Sequence, residues 1–100
     1  MKHVLQFHIE AEIEFTEAVL WYEEKKAGLG DEFLDAVEAK LKLIDKCTEL
    51  FPFDDAPIRK VVLKRFPFSI FYEFDASAKN IYVIEIFHSK RNLKVLKNRM

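Results

Sequence analysis

Residues 3–9, His-Val-Leu-Gln-Phe-His-Ile, set Leu5, Phe7 and Ile9 at alternate positions, the period of a short strand. From Glu10 the apolar period lengthens to that of a helix. Ala11, Phe15, Ala18 and Tyr22 fall on one stripe, flanked by Ile13, Leu20 and Trp21. Glu10, Glu12, Glu14 and Glu17 occupy its first turns and Lys25 and Lys26 its last, the distribution that the helix dipole favours. Gly28-Leu29-Gly30 breaks this helix, a glycine there supplying a left-handed cap. A second helix is expected from about Asp31, a suitable N-cap, to Leu50. Phe33, Val37, Leu41, Ile44 and Thr48 form its stripe, Ala36, Leu43 and Cys47 widen it, and Pro52 stops it.

Beyond 52–57, which has turn chemistry, the period shortens to two. Ile58 to Lys64 reads as a strand, Arg65-Phe66-Pro67 as a tight connection, and Phe68 to Phe74 as a second strand. A hairpin loop over 75–80 leads to a last strand, Ile81 to Phe87. The order β-α-α-β-β-β predicts an α+β domain spanning residues 1–100, an antiparallel sheet with a helical hairpin packed on one face. Alternation then assigns side chains to faces. Val61, Leu63, Phe68, Ile70, Tyr72, Phe74, Tyr82, Ile84 and Ile86 are expected under the helices. The opposite face is expected to be basic at Lys60 and Lys64, apolar at Val62, Phe71 and Val83, and acidic at Glu73 and Glu85. So apolar a face invites a partner segment, with Lys60, Lys64 and Phe71 as its expected contacts.

Charge sharpens this picture. The net charge of −1 conceals a division: residues 1–50 carry 6 Lys/Arg against 12 Asp/Glu, whereas residues 51–100 carry 10 against 5. The balances are −6 and +5, so the domain is dipolar and its basic half suits a negatively charged partner. His88-Ser89-Lys90-Arg91 closes the last strand, and Lys94, Lys97 and Arg99 follow with no acid among them. The single Cys47 excludes an internal disulfide, no apolar run approaches a membrane span, and the N-terminus lacks a signal-peptide pattern. A cytoplasmic protein is expected.

Other chemistry is thin. His3 and His8 point to opposite faces of one strand and cannot share a metal, and two glycines provide no phosphate-cradling loop. Neither metal nor cofactor is expected. His88 is the one titratable group beside clustered cations. Arg65, at the end of one strand, and Arg91, beyond another, are candidates for forked contacts to carboxylate or phosphate, as is Arg99.

Trp21-Tyr22-Glu23, Gly28-Leu29-Gly30-Asp31-Glu32-Phe33, Arg59, the run Leu63-Lys64-Arg65-Phe66-Pro67-Phe68-Ser69-Ile70-Phe71-Tyr72 and His88-Ser89-Lys90-Arg91 together resemble the RelE/ParE superfamily of bacterial toxins. The resemblance covers nearly the whole chain and implies the β-α-α-β-β-β fold. It also implies a toxin of a toxin–antitoxin module, neutralised by a cognate antitoxin and free to form homo- or hetero-oligomers. Its RelE-like branch implies ribosome-dependent cleavage of messenger RNA, with Lys60, Lys64 and His88 as the matching candidates. Against that, Val62 lies between the lysines, Ser69 stands where that branch has arginine, and Leu96 occurs in a tail without tyrosine. Loss of the strand arginine removes charge stabilisation of the phosphorane. The resemblance therefore favours the ParE-like branch, which blocks DNA gyrase by binding, with Arg65, Lys90, Arg91 and Arg99 as target contacts. The other alternative is an inactive homologue that only binds an antitoxin.

Overall fold

The computed structural model describes residues 3–88. Strand β1 is Val4–Phe7, and His8 ends it in extended backbone (φ −60°, ψ 139°) to become the N-cap of helix α1, Ile9–Lys25. The His8 Nδ1 accepts the Glu10 amide at 3.2 Å, satisfying one of the free donors of the first turn. His3 does not approach His8. Its ring nitrogen and its amide both lie near Asp45 Oδ1, at 3.0 and 2.8 Å.

Helix α2, Leu29–Lys46, is capped by Gly28 rather than by Asp31, which lies inside its first turn. Gly28 has φ +87°, a conformation that disfavours any side chain. The acceptor expected from Asp31 comes instead from the preceding helix. Glu23 Oε2 accepts from the Gly28 amide at 2.9 Å and its Oε1 from the Gly30 amide at 3.0 Å. This brings the helices so close that a Cβ on Gly30 would stand 2.7 Å from the Val19 carbonyl oxygen. The hairpin is thus fixed at its bend by one carboxylate and two glycines.

The sheet has five strands in the order β1-β5-β4-β3-β2. Strands β3 (Ile58–Val62), β4 (Phe68–Asp75) and β5 (Asn80–His88) form the expected antiparallel meander. The sheet as a whole is mixed, because β1 pairs parallel to β5, with Leu5 opposite Ile81 and Phe7 opposite Val83. Alternation carries no information on strand direction, so the antiparallel expectation holds only for the meander. The segment 52–57 contains a short edge strand, β2 (Phe53–Asp55), held by pairing of Phe53 with Arg59 and by the Arg59 guanidinium 3.9 Å from the Phe53 ring centre.

Between helices and sheet lies the main core. Phe33 stands at its centre, with ring centres of Tyr22, Phe66 and Phe68 at 5.1, 5.1 and 4.9 Å. Val61, Leu63, Ile70 and Tyr72 join it from the sheet as alternation requires. In β5, however, Ile81, Val83 and Ile86 face the helices, whereas Tyr82 and Ile84 lie on the far side with Phe87. The cause is a β-bulge. Phe71 pairs with Glu85 and Tyr72 with Val83, so Ile84 is an extra residue and parity reverses across it.

The segment after α2 is tied down by two cross-strand neighbours, Arg59 and Tyr72. The Tyr72 hydroxyl donates to the Thr48 carbonyl at 2.6 Å, and Arg59 Nη1 donates to the carbonyls of Glu49 and Phe51 at 3.2 and 2.6 Å. Burial raises the Tyr72 phenol to about 12, an effect that the nearby Arg59 charge partly opposes. Among the described residues, no helix is long and apolar enough to cross a membrane.

Candidate functional site

The sheet face away from the helices presents three cross-strand rows. The register sets Ile58, Glu73 and Tyr82 in one, Lys60, Phe71 and Glu85 in the next, and Val62, Ser69 and Phe87 in the third. These are the side chains that alternation put on the open face, apart from those that the bulge reverses. The face is not an open apolar surface, however. Phe71 is 1% exposed and packs with Ile58, Ile84 and Phe87 in a second buried cluster, while Ser69 and Glu85 are also buried. Phe71 therefore acts first as a packing residue. Glu85 Oε1 accepts the following amide of Ile86 at 2.9 Å, tying the carboxylate to the bulge. Val62, at 56%, is the large apolar side chain that remains exposed on this face.

Of the candidate cations, Lys60 is half-buried with its Nζ 5.7 Å from the centre of the Phe71 ring, an amphipathic stem laid over an aromatic face. Lys64 is exposed in the connection to β4. Arg65 lies in the same connection. It is paired to Glu32 of α2 at 2.6 Å, its guanidinium carbon standing 5.1 Å from the Phe66 ring centre. Both members of that ion pair are well exposed, so Arg65 can exchange Glu32 for another anion at little energetic loss. Lys90, Arg91 and Arg99 lie outside the described residues.

His88 is not with Lys60. It is the cross-strand partner of Phe68, a helix-facing residue, and its ring stands edge-on to Phe68 at 5.1 Å. Instead it lines a cleft of about 230 Å³ with Glu17, Ala18, Trp21, Tyr22 and Phe68, on the α1 side of the sheet. Burial pushes the Tyr22 phenol up, so it enters this cleft as a neutral donor and acceptor. Of the three candidates for phosphodiester chemistry, Lys60 and His88 are thereby divided between the two faces of the sheet and Lys64 lies in the connection. Ser69 offers a buried hydroxyl at the position where the RelE-like resemblance leads one to expect arginine.

Sequence reasoning missed the cleft. The glutamates of the first turns, Glu17 among them, are accounted for by the helix dipole, and Trp21 only flanks the apolar stripe. The available signal was the i, i+4 spacing of Glu17, Trp21 and Lys25, which stacks a carboxylate, an indole and an ammonium along one edge of the helix.

No protein-family model matches the chain, and no curated protein matches it. Solved structures do. A chain of the chromosomal ParDE toxin–antitoxin system from P. aeruginosa is similar at a TM-score of 0.63 and 17% identity, covering 89% of this chain and 98% of that one. The isolated E. coli RelE toxin is similar at a TM-score of 0.67 and 16% identity, covering 98% and 99%. An E. coli RelE double mutant in complex with an antitoxin RelBc peptide gives a TM-score of 0.67 at 14% identity, covering 100% and 96%.

Proposed function

From the RelE/ParE fold that this chain shares with those structures, we propose that it is the toxin of a type II toxin–antitoxin module and arrests growth by binding its target. The favoured target is DNA gyrase, as in the ParE-like branch. The observation that carries the choice of binding over cleavage is the separation of Lys60 and His88 onto opposite faces of the sheet, with Ser69 buried between strands. In-line attack by a ribose 2′-hydroxyl requires a base, an acid and charge stabilisation converging within hydrogen-bond reach of one phosphate. Binding requires no such convergence. It needs exposed cations with room to reach, which Lys64 and Arg65 supply on one connection, joined in the sequence by Lys90, Arg91 and Arg99.

Inducing the gene in a bacterial host tests the reading. Growth arrest with filamentation and DNA-damage signalling, while messenger RNA stays intact, is the expected outcome. Growth should resume when a cognate antitoxin is co-expressed. Arrest with rapid loss of messenger RNA would promote the RelE-like alternative. No arrest, with binding to an antitoxin retained, would indicate the inactive homologue.

A further inference from the structure

The two edges of the sheet differ in how they are protected. Strand β2 is three residues long, carries Asp54 and Asp55 and lies between Pro52 and Pro57, features that discourage edge pairing. The opposite edge, β1, reads Val-Leu-Gln-Phe, with no charge and no proline. The Val4 amide donates to the Lys79 carbonyl at 2.9 Å and the His8 amide to the Val83 carbonyl at 2.8 Å. Alternate residues of a parallel strand serve the neighbouring strand, so the amides and carbonyls of Leu5 and Phe7 point away from β5. Among the described residues no hydrogen bond takes them up. Outward groups of this kind are a template for a further strand.

Beside this edge lies a groove of about 350 Å³, its apolar lining supplied by Leu5, Phe7, Phe15 and Leu41. The exposed Glu38 and Lys42 of α2 form its rim. They stand four residues apart on one helix, yet among the described residues neither makes an ion pair. Helix α2 passes β1 in the opposite direction, since Asp45 meets His3 while Glu38, Leu41 and Lys42 border the groove with Leu5 and Phe7. Gln6 is therefore level with the rim pair. A partner segment of either sign would match one rim charge and oppose the other. A second copy of the chain, turned about a two-fold axis, matches both.

We propose that the chain forms a two-fold dimer by antiparallel pairing of β1 with β1 of a second copy, the axis passing beside Gln6. Leu5 then exchanges hydrogen bonds with the partner's Phe7, and Phe7 with the partner's Leu5, so every outward group of both residues is used. Gln6 meets its own symmetry mate. Its Oε1 accepts from Asn80 Nδ2 at 3.1 Å, which leaves its Nε2 to donate to the partner's Gln6. Val4, 58% exposed in the single chain, lies opposite the partner's His8. Glu38 comes against the partner's Lys42 and Lys42 against the partner's Glu38, closing the two grooves over their apolar floors. The connection that carries Lys64 and Arg65 joins β3 to β4, which β5 separates from the axis, so each copy keeps it uncovered. The dimer is independent of the toxin reading.

Sedimentation of the full chain at concentrations up to about 100 μM should show a monomer–dimer equilibrium. Gln6→Lys sets like charges opposite each other at the axis and should raise the dimer Kd by about 10-fold or more, with circular dichroism unchanged. Lys42→Glu sets acid against acid and should raise it about 10-fold. Adding Glu38→Lys to Lys42→Glu exchanges both rim charges and should return the Kd to within about threefold of wild type. In amide exchange followed by nuclear magnetic resonance, Leu5 and Phe7 should slow as the dimer forms. The amides of Val4, Gln6 and His8, already bonded within the chain, should not. A monomer throughout, or a dimer indifferent to Gln6→Lys, would overturn the inference. So would a double variant that dissociates as readily as Lys42→Glu. Protection of Leu5 and Phe7 that appears only with an antitoxin would assign the edge to that partner and likewise overturn it.

Discussion

Replacing Tyr72 by phenylalanine removes one oxygen at the joint between the sheet and the end of α2. Its hydroxyl donates to the Thr48 carbonyl at 2.6 Å from a fully buried side chain. Losing the hydrogen bond and leaving that carbonyl without its partner should destabilise the protein by about 1–2 kcal/mol at neutral pH. The same hydroxyl makes wild type sensitive to alkali in a way that the variant is not. Burial raises its folded pKa from 10.0 to about 12, so the folded state resists ionisation and the unfolded state does not. A group raised in the folded state contributes stability that is fully present below the unfolded value and is lost as pH rises toward the folded one. Across that window the loss approaches about 2.7 kcal/mol, at about 1.36 kcal/mol per pH unit. Wild type therefore starts ahead and falls behind, with the two stabilities crossing near pH 11 by this reckoning. Urea denaturation of both proteins from pH 8 to pH 12 measures the gap directly, and ionisation of other side chains common to both proteins cancels in the difference. A gap that stays constant across that range would show that the phenol is not held neutral by burial, and the reasoning would fail.

Gly30→Ala forces a Cβ to within 2.7 Å of a backbone oxygen on α1. The overpacking should outweigh alanine's better helix propensity and lower stability by about 1–2 kcal/mol, read from the urea midpoint. Arg65→Ala breaks an exposed ion pair with Glu32, so stability should fall by less than about 1 kcal/mol while growth inhibition weakens. A larger loss of stability would identify Arg65 as a packing residue. Lys64→Glu and Arg91→Ala should each abolish growth inhibition with stability within about 0.5 kcal/mol of wild type and antitoxin binding intact. Toxicity equal to wild type at matched expression would remove these residues from the target surface.

The fold was legible wherever periodicity and burial agree. Phe33, Val37, Leu41 and Ile44 are buried at the helical spacing that located α2, and Phe68, Ile70 and Tyr72 alternate into the core as their strand pattern requires. Misreadings have local causes. Alternation assumes an unbroken pleat, and one extra residue at Ile84 reverses the faces of Tyr82 and Val83. Asp31 has the usual chemistry of an N-cap, but the bend between the helices takes its acceptor from Glu23, five and seven residues before the amides it serves. A three-residue strand between two prolines carries no period at all, and Phe53 pairs because Arg59 is opposite it. For the site, sequence placed Arg65 in the connection but kept Lys64 on the strand, which ends at Val62. The division of Lys60 and His88 by the sheet follows from the same alternation, since His88 lies two residues beyond the helix-facing Ile86 whereas Lys60 belongs to the opposite face.

On the proposed function the protein arrests growth by occupying a target and not by cutting RNA. Purified protein added in parallel to a DNA gyrase supercoiling reaction and to ribosomes translating a defined messenger tests it most directly. Target binding should inhibit supercoiling at stoichiometric concentrations, reversed by the antitoxin, with the messenger uncut. Cleavage in codon register on the ribosome, with supercoiling unaffected, would contradict it.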